Sequence, residues 1–255
     1  MFRVVIPARF ASTRLPGKVL APLAGRPMIE HVHRLAVRSG AREVIVATDD
    51  ERVRAACAAF GAEVELTSPD HPSGTDRIAE IARRRHWDDD SVVVNVQADE
   101  PLLPPALIDQ AAGLLASDPG ADIATLCTPI TAIDEYLDPN VVKVVLRADG
   151  RALYFSRAPI PWNRDGAPAG LASQQDWRGS WRHIGIYAYR LTALRRLAAS
   201  GPTTLEQIER LEQLRALQSG LAIAVAEAIE APGPGVDTAA DLAQVERLIA
   251  IARRT

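Results

Sequence analysis

Short apolar runs alternate with longer amphipathic segments through the first half of the chain. The predicted strands are Val4–Ile6, Val44–Ala47, Val64–Leu66 and Val92–Val96, and the predicted helices are 28–37, 51–60, 75–84 and 104–115. This alternation is typical of an α/β domain, because parallel neighbouring strands need a crossover that is usually a helix. The sequence therefore predicts an α/β fold around a mostly parallel sheet.

The strand pattern changes in the middle of the chain. Residues 123–126 predict a strand, and Val141–Leu146 and Ala152–Phe155 flank Asp149-Gly150, a pair typical of a tight hairpin turn. Residues 158–179 are rich in proline and glycine and predict a long loop, a lid or an interface arm. The strands there are expected to pair antiparallel.

The last third of the chain returns to strands and helices. Ile184–Tyr189 predicts a strand and Leu191–Ala199 a helix. A leucine-rich stripe over 205–217 predicts one continuous helix, which Thr204 and Gln207 would begin as a capping box. A final strand is predicted at 222–225, and Thr238 with Asp241 is expected to begin the last helix. We predict one domain over residues 1–255 with a smaller antiparallel lobe near 130–190.

Composition excludes several classes of protein. The chain has 255 residues, 47% of them hydrophobic and 24% charged, with a formal net charge of -3. These values are ordinary for a globular domain and do not favour a nucleic-acid binder. Cys57 and Cys127 are far apart, and no apolar run approaches the roughly 20 residues that span a bilayer. We expect a protein of the reducing cytoplasm, with no membrane partner.

The first strand leads into a loop with three cations and two hydroxyls: Arg9, Ser12, Thr13, Arg14 and Lys18. Ligands of open α/β sheets bind at the carboxyl ends of strands, and guanidinium and ammonium groups suit a polyphosphate. A solvated charged loop explains the same residues about equally well. Because the glycine of a Walker A motif is replaced by Ser12, and Val19 stands where Ser or Thr should follow Lys18, a P-loop NTPase loses support.

Two acidic positions are candidates for binding magnesium. Asp99, with Glu100 beside it, follows the fourth strand, at the edge where the cationic loop is expected, and Asp237 precedes the last helix. Mg²⁺ takes oxygen ligands and is usually held by one or two carboxylates together with phosphate oxygens. Each acid also has an ordinary structural explanation, a turn for Asp99 and a helix cap for Asp237.

The remaining candidates are individually weak. Arg77 begins a helix after the third strand, where Ser73 could simply be the cap, and Gln97 ends the fourth strand. His183 and Tyr187 share one face of a strand, since their spacing is even. Arg157 ends the predicted hairpin, whereas Glu212 and Gln213 could be the solvated side of an apolar helix.

Taken together, the motifs resemble one family closely. They are Ser12 to Lys18, His71-Pro-Ser-Gly-Thr-Asp-Arg77, Gln97-Ala-Asp-Glu-Pro101, Tyr154-Phe-Ser-Arg157, Arg182-His-Ile-Gly-Ile-Tyr187, Leu211-Glu-Gln-Leu-Arg215 and Gly235-Val-Asp-Thr238. This ordered set is similar to the 3-deoxy-manno-octulosonate (Kdo) cytidylyltransferases, the CMP-Kdo synthetases. The resemblance runs from residue 4 to about residue 245.

The resemblance implies a fold, a reaction and a set of roles. The fold would be a Rossmann-like three-layer nucleotidyltransferase fold, and the reaction CTP plus Kdo giving CMP-Kdo and pyrophosphate, with Mg²⁺, in a cytoplasmic homodimer that serves lipopolysaccharide synthesis. The triphosphate would be bound by Arg9, Ser12, Thr13, Arg14 and Lys18; the nucleoside by Arg77 and Gln97; magnesium by Asp99 and Asp237; and the acidic sugar by Arg157, His183, Tyr187, Glu212 and Gln213. Arg14, Lys18, Asp99 and Asp237 would be the catalytic residues.

One position departs from the family pattern, and three other functions stay open. Ala98 stands where the family usually has glycine, and if that position needs φ > 0 alanine costs about 1 kcal/mol. The alternatives are a cytidylyltransferase for another acidic sugar, such as an 8-amino Kdo analogue or a sialic acid, a nucleotide-binding module without turnover, and, more weakly, a dehydrogenase.

Overall fold

The computed structural model describes residues 1–12, 15–166 and 169–252. Its strands are β1 (Phe2–Ala8), β2 (Pro22–Leu23), β3 (Arg26–Pro27), β4 (Val44–Thr48), β5 (Glu63–Leu66), β6 (Val92–Asn95), β7 (Ile123–Pro129), β8 (Lys143–Leu146), β9 (Ala152–Ser156), β10 (Trp181–Arg190) and β11 (Ile223–Glu227). Its α-helices are α1 (Met28–Val37), α2 (Glu51–Ala59), α3 (Gly74–Arg84), α4 (Pro105–Ser117), α5 (Ile133–Leu137), α6 (Leu191–Ala199), α7 (Thr204–Glu209), α8 (Gln213–Gln218) and α9 (Ala239–Ala252).

One mixed sheet organises the molecule. Its strands lie in the order β11, β7, β10, β6, β1, β4, β5. The pairs β1 with β4, β1 with β6, β4 with β5 and β7 with β11 are parallel. Strand β10 runs antiparallel to both of its neighbours, β6 and β7. The predicted α/β fold with a mostly parallel sheet is confirmed.

Helices cover both faces of this sheet. Val4 and Ile6 on β1 belong to the same buried cluster as apolar residues of α1, α2 and α4. Val5, between them, packs instead in a cluster that includes residues of α3, α6 and α8. Successive side chains of a strand point to opposite faces, so a strand buried on both faces reads as a continuous apolar run. The fold therefore has three layers.

The predicted hairpin is present as β8 and β9, and it joins the main sheet. β8 pairs antiparallel with β9 and also with the first residues of β10. Asp149 and Gly150 form the turn, where Gly150 has φ 80°. Because β10 crosses from this hairpin into the centre of the sheet, it connects the antiparallel strands to the parallel ones.

The continuous helix predicted over 205–217 is wrong. Arg210 adopts φ 54° and ψ 45°, which ends α7, and α8 begins three residues later. The break lets Leu211 and Leu214 pack in the core while Ile208 stays largely exposed. The capping box of α7 is formed by Thr203 and Glu206, one residue earlier than predicted. Tertiary packing of the leucines outweighs the continuous helical pattern.

Three segments bring functional groups to one edge of the sheet. The parallel strands β1 and β6 end there, followed by the cationic loop and by residues 97–101. A third segment, which precedes α9, is tied to the same edge by the bond from the Val236 N–H to the Asp99 carbonyl (2.9 Å). Within the described ranges no helix is long and apolar enough to cross a membrane.

Candidate active site

Lys18 joins the two predicted magnesium ligands. Its Nζ donates to Asp99 Oδ2 at 2.7 Å and to Asp237 Oδ1 at 3.0 Å, although 81 and 219 residues separate the partners along the chain. Burial alone would lower the pKa of Lys18, but the charge of Asp99 and hydrogen bonds to both carboxylates raise it. The cationic loop and the two acids therefore surround one site.

A first cavity of about 500 Å³ opens around this ion pair. It is lined by Arg9, Ser12, Lys18, Ser73, Gly74, Gln97, Asp99, Glu212 and Asp237, among others. The Arg9 guanidinium is held at its rim by a 2.6 Å bond from Nη2 to the carbonyl oxygen of His71. Four of the predicted triphosphate and nucleoside residues are thus together; Thr13 and Arg14 lie outside the described residues.

The start of α3 forms the far wall of the first cavity. Ser73 caps the helix in a capping box with Asp76, so the structural interpretation of this motif is confirmed. Ser73 Oγ also lies 3.0 Å from Glu212 Oε1, which links the motif to the opposite side of the site. A Cβ at Gly74 would be 3.2 Å from Pro7, so glycine allows the helix to approach the end of β1 closely.

Arg77 lies below the cavity. Its side chain is 1% exposed, Nη2 binds Asp49 Oδ2 at 2.5 Å, and Nη1 donates to Thr67 Oγ1 and to the Ser68 carbonyl. The structure thus uses this guanidinium to tie α3 to the loops that follow β4 and β5. Arg77 could therefore affect a bound nucleoside only indirectly, by fixing the positions of these loops.

A second cavity of about 510 Å³ shares part of its wall with the first. Gln97, Asp99, Glu212 and Asp237 border both cavities. The rest of the second cavity includes all the other predicted sugar residues: Arg157, His183, Tyr187 and Gln213. Two adjoining chambers with the acids at their junction can hold two substrates whose reacting groups meet there.

Arg157 is fixed on one side of the second cavity. Its Nε donates to the Glu209 carbonyl at 2.7 Å and its Nη1 to the Pro139 carbonyl at 3.0 Å. These two bonds leave further N–H groups of the guanidinium, whose five donors suit a carboxylate. Arg157 can therefore receive an anionic group of a ligand.

His183 and Tyr187 form an uncharged wall. Burial lowers the pKa of His183 to about 3 and raises that of Tyr187 well above its usual value. His183 packs edge-on against Phe155, and its Nε2 lies 3.0 Å from Thr125 Oγ1. Near neutral pH both side chains are neutral and can exchange hydrogen bonds with hydroxyl groups.

The burial of His183 predicts how stability depends on pH. Its folded-state pKa lies below the unfolded value of about 6.5, so its contribution is present above pH 6.5 and is lost as the pH falls toward 3. Between pH 7.5 and 4.5 we expect the wild type to lose about 2–3 kcal/mol more unfolding free energy than His183→Phe. Urea unfolding at both pH values measures the difference, and equal losses would contradict it.

Glu212 and Gln213 lie where α7 and α8 separate. Burial raises the pKa of Glu212, while hydrogen bonds and the charge of Arg215 lower it; Arg215 Nη2 lies 2.6 Å from Glu212 Oε1. The prediction that both residues could lie on the solvated side of a helix is wrong, since both border the second cavity. The break at Arg210 turns them toward the sheet.

The donor set of Asp99 and Asp237 fits magnesium. Two carboxylates that share one ammonium group already accommodate a cation between them. In the described part of the chain no group of three or more His, Cys, Asp or Glu side chains is arranged to hold a metal. A pair suffices for Mg²⁺, which keeps waters or takes phosphate oxygens for its other positions.

Sequence reasoning missed Asn95 in this site and the raised pKa of Glu100, the neighbour of Asp99. Asn95 interrupts a run of valines in β6, lies opposite Tyr187 and borders the second cavity, and its Oδ1 accepts no hydrogen bond within the described residues. A polar residue in an otherwise apolar buried strand was the available signal. Glu100 was noted only as the neighbour of Asp99, yet burial and the charge of Asp99 raise its pKa to about 7.

Ala98 carries no backbone strain. The non-glycine residues with positive φ in the described ranges are Ala24, His86 and Arg210. The cost of about 1 kcal/mol expected for alanine at a left-handed position therefore does not arise. The Ala98 side chain is instead buried with the apolar cluster beside α4.

Known cytidylyltransferases are similar to this chain over most of its length. The family model for cytidylyltransferases matches residues 3–225. The 3-deoxy-manno-octulosonate cytidylyltransferase of Halorhodospira halophila is 55% identical over 249 residues, 96% of each chain. That of Thioalkalivibrio sulfidiphilus is 52% identical over 248 residues, 97% of this chain and 98% of the relative.

Solved structures match over nearly the whole chain. A CMP:2-keto-3-deoxy-manno-octonic acid synthetase complexed with CTP is 41% identical, with a TM-score of 0.86 over 98% of both chains. A cytidylyltransferase from Leptospira borgpetersenii serovar Hardjo-bovis is 16% identical, with a TM-score of 0.63 over 98% of this chain and 87% of that one, which shows the shared fold alone. The chain belongs to the 3-deoxy-manno-octulosonate cytidylyltransferase (CMP-Kdo synthetase) family.

Proposed function

We propose that this chain transfers the cytidylyl group of CTP to Kdo and releases pyrophosphate. The observation that carries the proposal is the bridge from Lys18 to Asp99 and Asp237, at the junction of two cavities. One cavity has the cationic rim that a triphosphate needs, and the other has a guanidinium beside uncharged hydrogen-bonding groups.

We assign CTP to the first cavity and the acidic sugar to the second. Arg9, Ser12 and Lys18, with Thr13 and Arg14, would bind the triphosphate, and Gln97 would meet the nucleoside, with Arg77 holding the loops beneath it. Arg157 would pair with the sugar carboxylate, while His183, Tyr187, Glu212 and Gln213 would meet its hydroxyls. The side chains support this division, because Arg157 supplies a cation for the sugar carboxylate and the other four residues can exchange hydrogen bonds with its hydroxyls.

The reaction follows from this arrangement. The anomeric hydroxyl oxygen of Kdo forms a bond to the α-phosphorus, and the bond from that phosphorus to the α,β-bridging oxygen breaks, its electron pair leaving with pyrophosphate. The hydroxyl proton passes to solvent water. Lys18 and Arg14 would offset the charge that grows on the departing pyrophosphate. Arg157 would orient the hydroxyl in line with the leaving group, since phosphoryl transfer depends mainly on positioning and charge.

Asp99 and Asp237 would hold Mg²⁺ in the bound state. Magnesium there supplies charge neutralisation for the phosphate oxygens and lowers the pKa of a coordinated hydroxyl. The two carboxylates are partly exposed, at 34% and 49% of their side chains, so they remain accessible to a cation that arrives with the nucleotide.

Incubation of the purified protein with CTP, Kdo and Mg²⁺ tests the function. We expect one pyrophosphate and one CMP-Kdo per CTP consumed, with little product from ATP, GTP or UTP. Turnover with another acidic sugar at a much higher kcat/KM would favour the alternative substrate, since single-group differences depend on pocket shape. Binding of CTP without any product would favour a non-catalytic module.

Arg157→Ala tests whether the two cavities bind different substrates. We expect the KM for Kdo to rise about tenfold or more, because a charge-assisted contact is lost, while the KM for CTP stays within twofold. Initial rates with each substrate varied in turn measure both constants. An unchanged KM for Kdo would remove Arg157 from the sugar site.

We also propose a cytoplasmic homodimer. Cys57 and Cys127 are free and buried, which suits a reducing compartment. Trp162 and Leu171, in the loop predicted as a lid or interface arm, are 42% and 58% exposed, and large exposed apolar side chains support a protein interface. Light scattering after size exclusion tests the dimer, and a monomer at micromolar concentration would contradict it.

A further inference from the structure

Glu209, the last residue of α7, contacts Arg157 from two directions. Its Oε2 accepts the backbone N–H of Arg157 at 2.9 Å, and its carbonyl oxygen accepts Nε of the same arginine at 2.7 Å. Its Oε1 lies 2.6 Å from Oγ of the preceding Ser156. One residue thus fixes both the main chain and the guanidinium of Arg157.

Lys143 also holds the main chain of Arg157. It is fully buried, and its Nζ donates to the carbonyl oxygens of Arg157 (2.8 Å), Asp138 (2.8 Å) and Val141 (2.5 Å). The chain contains only two lysines, Lys18 and Lys143, among 29 basic residues. A buried ammonium satisfied by main-chain oxygens alone is costly, which indicates that the position of this corner matters.

Glu209 also adjoins the chain segment that lines the second cavity after the break between α7 and α8. Arg210 follows Glu209 directly in the left-handed conformation, and residues 210–213 form part of the cavity wall. The end of α7 therefore holds two parts of the cavity wall, the guanidinium of Arg157 and the segment containing Glu212 and Gln213.

We infer that Glu209 is a positioning residue for the acidic sugar, acting through Arg157. It does not border the cavity, and so it would not touch the sugar. Its carboxylate holds the Ser156 side chain and the Arg157 main chain, from which the guanidinium projects, whereas the bond to Nε comes from its main-chain carbonyl oxygen and is present whatever side chain stands at 209. Without the carboxylate the base of the Arg157 side chain would shift, and a misdirected arginine would bind the sugar carboxylate less well without affecting the nucleotide. The inference rests on the proposed function, because it needs Kdo as the ligand of the second cavity.

The test compares two glutamates of the same short helix. Glu209→Ala removes the carboxylate contacts to Ser156 and Arg157, whereas Glu206→Ala removes the capping-box contact to the Thr203 N–H and the ion pair with Arg215. For Glu209→Ala we expect the KM for Kdo to rise about tenfold, with kcat and the KM for CTP within twofold of the wild type. Glu209→Gln, which keeps one acceptor for the Arg157 N–H, should recover most of the loss.

The control variant distinguishes positioning from helix stability. If Glu209 only stabilised α7, Glu206→Ala would raise the KM for Kdo equally, and that result would overturn the inference. An unchanged KM for Kdo in Glu209→Ala, or an equal rise in both Michaelis constants, would overturn it as well. A wild type that turned over CTP with a different acid and not with Kdo would instead contradict the proposed function, and this inference with it.

Discussion

Asp99→Asn should lower kcat by about a thousandfold and leave the fold intact. The amide keeps the shape of the side chain but removes one of the two charges proposed to bind Mg²⁺, and electrostatic groups of this kind contribute about two to three orders of magnitude to rate. Stability should change by less than about 1 kcal/mol, because the Asp99 side chain is 34% exposed and its ion pair with Lys18 is partly solvated. Pyrophosphate release at saturating CTP and Kdo measures kcat.

The control for Asp99→Asn is the same chemical change at a distant carboxylate. Asp149→Asn alters the hairpin turn, where Asp149 pairs with Arg147 at 3.1 Å, and should leave kcat unchanged. Raising Mg²⁺ should rescue Asp99→Asn only partly, because the amide oxygen lacks the negative charge at any metal concentration. A variant with near-normal kcat at saturating Mg²⁺ would show that Asp99 does not act through the metal.

Lys18→Met should reduce kcat by about a hundred- to a thousandfold. Methionine retains most of the apolar stem but removes the cation proposed to offset charge on the departing pyrophosphate. It also leaves Asp99 and Asp237 without the ammonium group that now lies between them. The KM for CTP should rise as well, whereas the KM for Kdo should change little, since Lys18 borders only the first of the two cavities.

Arg54→Met is the control for Lys18→Met, because it also removes one positive charge. Arg54 is an exposed residue of α2 paired with Glu51, and its removal should leave all three kinetic constants unchanged. If Lys18→Met lowered kcat no more than Arg54→Met, Lys18 would have only a structural role. The initial rates of the two variants decide between these results.

The local pattern of the chain was sufficient to predict the fold. The valine-rich runs of β1, β4 and β6 are buried on both faces of the sheet, so a continuous apolar run in the sequence is enough to predict each strand. Helix α1 matches the predicted bounds, Met28–Val37, because its apolar face repeats at helical spacing. The break between α7 and α8 could not be read in the same way, since Arg210 adopts its left-handed conformation under the packing of Leu211 and Leu214.

Much of the candidate site could be identified from motifs, but not its internal contacts. Sheet geometry predicted that Lys18 and Asp99 lie at one edge of the sheet. The position of Asp237 depends instead on the loop before α9, which is hydrogen-bonded to the Asp99 carbonyl oxygen through the Val236 N–H. Arg77 illustrates the limit, because a motif names the residue but cannot show that its guanidinium is committed to Asp49 beneath the cavity. Glu209 and Lys143 gave no motif signal, since the carboxylate of Glu209 contacts Ser156 and Arg157, 53 and 52 residues earlier, and Lys143 binds main-chain carbonyl oxygens, which no side-chain pattern records.

The structure of the complex with CTP and Mg²⁺ tests the central claim most directly. We expect the triphosphate to lie between the cationic loop and the start of α3, in contact with Lys18. The metal should lie about 2.0–2.1 Å from carboxylate oxygens of both Asp99 and Asp237. A triphosphate bound elsewhere, or a metal that touches neither carboxylate, would contradict the proposed site.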